Sequence, residues 1–190
     1  MSGRQGIGIK IHDLIERMES VIEQARSEHA GMSSKELATA AIRYYLLRFH
    51  LHTEVVFDLQ QATEITGNTG VYVMYAHARA VSILNKAREL GIQPSTIPNM
   101  PELKMEEVAL LRHLSAWQET LYSASRQLAP HILCGYAYEL AGLFNNFYAN
   151  CPILKADDQH RTFRVWLTSK FQAILGDALH VLGLPAPERM

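Results

Sequence analysis

Pro130-His131-Ile132-Leu133-Cys134-Gly135-Tyr136-Ala137-Tyr138-Glu139-Leu140-Ala141-Gly142-Leu143-Phe144-Asn145-Asn146-Phe147-Tyr148 decides how this chain folds. A proline at the head suits the first turn of a helix, and the residues behind it put apolar side chains on almost every side of a helix from about 130 to 149. Such a helix is stable only when other elements cover it on all sides, so the segment reads as the central, buried helix. Gly135, Ala137, Ala141 and Gly142 are small enough to let neighbouring backbones approach closely.

The flanking sequence supplies the cover. Pro101 suits the start of a helix over about 101–128, with Met105, Val108, Leu111, Leu114, Leu121, Ala124 and Leu128 on one side. On the other flank, Asp157 and Asp158 can cap a helix carrying Val165, Leu167, Phe171, Ile174, Leu175, Ala178 and Val181, which Gly183 closes. A short tail runs from Leu184 to Met190.

Towards the N-terminus, Thr69 caps a helix over about 70–90 that stops at Gly91, and the Pro94–Pro101 stretch behind it is a linker. Residues 53–69 lose periodicity, and Thr63, Thr66, Gly67, Asn68 and Thr69 offer turn chemistry. Ser33 with Glu36 is a capping-box pattern opening a helix to about His52. Ile11, Leu14, Ile15, Met18, Val21, Ile22 and Ala25 mark an amphipathic helix over about 11–28, ended by Gly31. With no repeat period and no strand-and-turn rhythm, the expected fold is all-α, an irregular helical bundle.

Composition narrows the function classes. Hydrophobic residues at 48% and charged residues at 19% of 190 leave no disordered tail, and the length suffices to bury roughly 70% of the unfolded surface. A net charge of −1 excludes a protein that holds nucleic acid by its overall field, so any RNA contact has to be local. Cys134 and Cys151 lie outside metal-like spacing and have no visible base to activate them. His50 and His52, at i and i+2, point to different faces. No metal site and no catalytic residue is expected, and no apolar run is long enough to span a membrane.

One helical face carries chemistry. Tyr72, Tyr75 and Arg79 stand at i, i+3 and i+7 and project from one side, with Met74, Ala78 and Val81 expected roughly opposite. Spacing alone suits either rim tyrosines with their hydroxyls in water or a platform on which unpaired bases stack. Arg161, Arg164 and Lys170 form either a solvated charged face or a backbone contact, and Trp117 and Trp166 are expected to pack.

Three stretches resemble arginyl-tRNA synthetases. Thr66-Gly67-Asn68-Thr69-Gly70 with Tyr72, Tyr75, Ala76 and Arg79 is similar to a family segment reading Gly-Asn-Thr, then Tyr-x-x-Tyr-Ala-x-x-Arg. Leu128-Ala129-Pro130-His131, Tyr138-Glu139-Leu140-Ala141, Phe144-Asn145-Asn146-Phe147-Tyr148 and Asn150-Cys151-Pro152-Ile153-Leu154 look like the same family's C-terminal anticodon-binding bundle of the DALR type. The ending Leu182-Gly183-Leu184 through Pro187-Glu188-Arg189-Met190 is similar to the family's last residues, and Met1-Ser2-Gly3-Arg4 with Ile9–Leu14 resembles the end of its second signature loop and the helix beyond.

The resemblance implies a bundle of the class I synthetase anticodon-binding type. Residues 1–52 would be an N-terminal helical segment following the catalytic signature loop, and 53–190 the anticodon-binding bundle, together one compact unit. It implies that Tyr72, Tyr75, Arg79, Tyr148, Met190 and Asn68 contact the anticodon loop of tRNA(Arg), by aromatic stacking and arginine contacts. It further implies a catalytic domain as partner in cis or trans, ATP and Mg for the full-length enzyme with no cofactor for this chain, no aminoacylation by this chain alone, and a cytoplasmic protein. The alternative is a helical module that docks on a catalytic subunit or another protein.

Overall fold

The computed structural model of the chain describes residues 10–25, 31–94 and 100–190. Among them stand eight α-helices and no strand: α1 (Ile11–Ala25), α2 (Ser34–Leu47), α3 (Leu59–Thr63), α4 (Gly70–Glu89), α5 (Met105–Ser115), α6 (Trp117–Gln127), α7 (Pro130–Asn150) and α8 (Asp158–Val181). The chain is all-α, as its periodicity predicts. The opening residues Met1–Ile9, the last turn expected for the first helix and most of the Pro94–Pro101 linker lie outside the described residues.

Helix α7 is the centre of the bundle and packs against α2, α4, α5, α6 and α8. Leu140, Ala137, Ala141, Phe144 and Phe147 are fully buried along it. The ring of Phe144 stacks on Phe171 of α8 with centroids 3.8 Å apart, and on another side Tyr136 meets Trp117 of α6 at 5.3 Å. The small residues divide. Ala137 and Ala141 lie inside, whereas Gly135 faces open space and Gly142 meets only the Tyr72 hydroxyl, so the expectation of close backbone approach fails at Gly135.

Several caps form as the sequence predicts. The Ser33 N–H donates to Glu36 and the Glu36 N–H to Ser33 Oγ, the Tyr72 N–H donates to Thr69 Oγ1, and the His160 N–H donates to Asp157 Oδ1. Gly183 closes α8 with φ +68°, while the Leu184 N–H reaches the Leu179 carbonyl and the Gly183 N–H the His180 carbonyl.

Three expectations are corrected. The helix predicted over 101–128 begins at Met105 and is divided at Ala116 into α5 and α6. No glycine or proline marks the break, and periodicity carries no sign of it; it accompanies the packing of Trp117 onto α7. Met105 and Leu128, assigned to the apolar stripe, are 87% and 75% exposed, and Leu128 takes the left-handed position (φ 51°) that turns the chain into α7. The second helix stops at Leu47 rather than His52, because Arg48 turns back to donate to the Asn68 carbonyl and to Gln61 Oε1, both at 2.6 Å. In the stretch read as turn, Asp58 caps the short α3, which is too brief to show a period.

A buried ion pair ties α5 to α8. Arg164, expected on a solvated face or against an RNA backbone, is 4% exposed; its Nε donates to Glu107 Oε1 at 2.6 Å and another guanidinium N–H to the Pro152 carbonyl. Glu107 is completely buried, and its second oxygen accepts the Lys104 N–H ahead of α5. Removing one partner leaves the other charge buried without its counter-ion. Urea denaturation of Glu107→Ala is therefore expected to show a loss of about 3 to 5 kcal/mol. Replacing both residues by apolar ones should restore most of that loss.

Candidate nucleic-acid interface

The rotation of α4 is set by its buried side. Val73, Met74, Ala76 and Ala80 face the core, which leaves Tyr75 and Arg79 pointing outward, one turn apart. The end of α7 brings Tyr148 beside them, and the tail after α8 brings Arg189 and Met190. Together with Ala78 and Ser82 these residues line an open cavity of about 420 Å³. Two arginines and no acidic side chain line it, so the side chains around the cavity are net positive although the chain as a whole carries −1.

Arg79 sits between two rings. Its guanidinium carbon is 4.8 Å from the Tyr75 ring centroid and 5.3 Å from that of Tyr148. Nearly half the surface of each tyrosine, 44% and 46%, remains open to a ligand. One guanidinium N–H donates to Asn145 Oδ1 at 2.6 Å, and Asn145 Nδ2 donates to the Tyr72 hydroxyl at 2.9 Å. Because a guanidinium only donates, Asn145 must turn its oxygen to Arg79 and its amide to Tyr72, and the Tyr72 hydroxyl keeps its own proton to offer.

The six residues predicted for the interface are thus distributed unevenly. Tyr75, Arg79, Tyr148 and Met190 meet at the cavity. Tyr72 does not line it; half-buried, with its ring 5.6 Å from that of Tyr138, it joins the group through Asn145. Asn68 stands at the entry to α4, where its Oδ1 accepts from the Tyr44 hydroxyl at 2.6 Å, a structural bond. Ala78, expected on the far side, lines the cavity because it lies one helical step of three from Tyr75.

Sequence reasoning overlooked Asn145, Ser82 and Arg189. Asn145 had a visible signal: a polar residue in an otherwise apolar helix, three residues before Tyr148 and so on the same face. Nothing local marks Arg189, which reaches the cavity only through the path of the tail. Of the other cations on α8, Arg161 pairs with Asp158 and the Lys170 ammonium lies 5.8 Å from the Trp166 ring.

No other chemistry gathers here. Burial pushes the Cys134 thiol up to about 12 and raises that of Cys151, so neither is a ready nucleophile. The ring of His50 lies 5.4 Å from His52 and 5.1 Å from His131, but among the described residues no group of three or more His, Cys, Asp or Glu could hold a metal ion.

The chain is similar to known proteins over its whole length. Residues 73–190 match the DALR anticodon binding domain. Over its whole length the chain is 32% identical to an arginine–tRNA ligase of Pyrococcus furiosus, of which it covers 32%. It superposes along its full length on arginyl-tRNA synthetase of Thermus thermophilus with a TM-score of 0.86 and 30% identity, covering 33% of that chain. Arginyl-tRNA synthetase of Plasmodium falciparum matches 94% of this chain with a TM-score of 0.71 and 25% identity, across 31% of its own length. The chain therefore spans about a third of the length of these relatives.

The Tyr72–Asn145–Arg79 network has a measurable weight. Asn145→Ala removes one neutral and one charge-assisted hydrogen bond at a partly buried position, and urea unfolding should register a loss of about 1 to 2 kcal/mol.

Proposed function

The chain belongs to the DALR anticodon-binding domain family, and from that premise we propose that it binds the anticodon loop of tRNA(Arg), with an unstacked base entering the cavity beside Tyr75, Arg79, Tyr148 and Met190. The observation that carries this reading is Arg79 held between two half-exposed tyrosine rings over a cavity lined by no acidic side chain. A base extruded from its stack presents a π-face, which Tyr75 or Tyr148 receives, while the N–H groups of Arg79 not used by Asn145 reach its acceptor edge or the adjoining phosphate. Met190 supplies a soft apolar wall. Tyr72 offers its remaining hydroxyl proton, and Asn68 its amide, to neighbouring nucleotides.

Because the chain spans a third of its relatives, we extend the proposal to a catalytic domain as partner, in cis or trans, joined through residues 1–52. Aminoacylation is assigned to that domain, together with ATP and Mg. The described residues offer no grouped donor set for a magnesium ion, and no step of that chemistry is placed on them. Protein synthesis places the whole in the cytoplasm. Among the described residues no helix is long and apolar enough to cross a membrane.

A second reading, a module that docks on a protein, draws on an apolar groove between α1 and α2. Ile11, Ile15, Ile42, Leu46 and Leu47 line it, with Ile11 and Leu46 substantially exposed. The two readings differ in what the cavity does.

Titration with a labelled arginine anticodon stem-loop separates them. Tyr75→Ala and Arg79→Ala should each weaken binding by about 1 to 3 kcal/mol. The affinity should fall with salt on a slope of about −0.7 for each phosphate held, with few phosphates involved. A stem-loop with its central anticodon base changed that binds equally well would refute the tRNA reading, and unchanged binding by both variants would favour the docking module.

A further inference from the structure

One wall of the cavity is made by residues that belong to no helix. After Gly183 the chain runs as a strap whose Leu184 and Pro187 are buried, while Glu188 and Arg189 are exposed and Met190 is half-buried at the cavity. The Arg43 guanidinium holds the start of the strap at the Gly183 carbonyl. Its far end is held from α4, the helix that also carries Tyr75 and Arg79. His77, between those two in sequence and 2% exposed, places Nδ1 2.9 Å from the Pro187 carbonyl and Nε2 3.0 Å from Gln172 Nε2 on α8.

The partners determine the tautomer. A carbonyl can only accept, so Nδ1 carries the proton, and Nε2 accepts from the Gln172 amide. The neutral ring is thereby satisfied at both nitrogens, and Gly176, where a Cβ would approach Nε2 to 3.4 Å, leaves room for it on α8. The α1–α2 connection passes close to the end of the strap: Gly31 has φ +98°, and a Cβ built on it would overlap the Arg189 carbonyl oxygen. The strap is thus bonded at Pro187 and closely approached at Arg189, on either side of the exposed Glu188.

We infer that His77 is a positioning residue for the cavity: by holding the Pro187 carbonyl it fixes the strap, and through the strap it keeps Met190 in the wall against which the base is proposed to pack. The consequence for RNA rests on the tRNA reading; the tethering of the strap does not. If releasing His77 left Met190 in place only a tenth of the time, the apparent affinity would fall about tenfold.

Acid acts differently on the two bonds of the ring. Burial holds the His77 imidazole below the ordinary histidine range, opposed by the Pro187 carbonyl and by Glu188. Facing the ring, or lining the cleft beside it, are Glu188 from the strap, Asp177 from α8 and Arg88 from α4. A protonated ring donates from both nitrogens and forces the Gln172 amide to turn over. The strap's own contacts, the Pro187 carbonyl and Glu188, favour the protonated ring, so acid leaves the Nδ1–H donor to Pro187 in place while it breaks the bond from Gln172.

The experiment has an arm without RNA and an arm with it. In Met190→Cys protein the introduced thiol is titrated with a maleimide, Cys134 and Cys151 being buried. His77→Ala should speed its modification several-fold, and His77→Asn, which retains a donor for the Pro187 carbonyl, should largely restore the slow rate. In the second arm, His77→Ala should weaken the arginine stem-loop about three- to tenfold, as loss of one tether allows, and add nothing in a Met190→Ala background. A modification rate indifferent to His77→Ala overturns the inference. So does a faster rate with unchanged stem-loop affinity in a protein that discriminates anticodons. A protein that discriminates none refutes the tRNA reading alone, and the thiol arm then still decides whether His77 holds the strap.

Discussion

A helix with apolar side chains on most of its sides has to be covered by others, and the rest of this bundle packs on α7. It is left exposed only along a stripe through Gly135, Tyr138, Glu139 and Asn146 and at its last turn, where the sequence predicts cover all round. Helices α2, α4, α5, α6 and α8 all lie against it, and the Phe144–Phe171 stack fixes α8 where the two longest helices meet. Covering α7 also orients α4. Once Val73, Met74, Ala76 and Ala80 are directed inward, helical geometry leaves Tyr75 and Arg79 no choice but to face out. The face proposed to meet the anticodon is thus a by-product of how α4 serves the core.

The polar groups inside the bundle join segments far apart in sequence. Glu107 and Arg164 link α5 to α8, Asn145 links α7 to α4, and His77 links α4 to both α8 and the strap. An apolar contact tolerates a shift of register that a buried hydrogen bond does not, since a displaced donor or acceptor loses its partner and has no water to replace it. These few bonds give a core of Leu, Ala and Phe a single alignment. They also explain how a cavity made of three separate segments is held together.

Electrostatics at the cavity is a local matter. A near-neutral chain has no field with which to collect RNA, and recognition has to come from a small region where charge and aromatic surface coincide. Arg79 and Arg189 supply the charge, while Asn145 spends one guanidinium N–H on orientation and leaves the others for a ligand. On the proposed reading, such a site would favour choice among anticodons over raw affinity, because stacking and base-edge bonds depend on which base is presented, whereas a broad basic surface does not.

The helices were legible in the chain because 3.6-residue periodicity and capping chemistry are local properties. Ser33 with Glu36, Thr69, Asp157 and Gly183 mark ends that the fold reproduces. Tyr75 and Arg79 were legible as neighbours for the same reason, and the resemblance to arginyl-tRNA synthetases supplied Tyr148 and Met190, which no periodicity connects to them. The break at Ala116, the early end of α2 at Arg48, the burial of Arg164 and the clamp of His77 on Pro187 were not legible. Each involves a partner from 13 to 110 residues away, and a sequence read along its length has no measure of distance across the fold. By itself the sequence determined the long helices and most of their apolar faces, though not the short α3 or the break at Ala116. Only tertiary structure decided which polar side chains meet, because that depends on how the helices cross once α7 is covered.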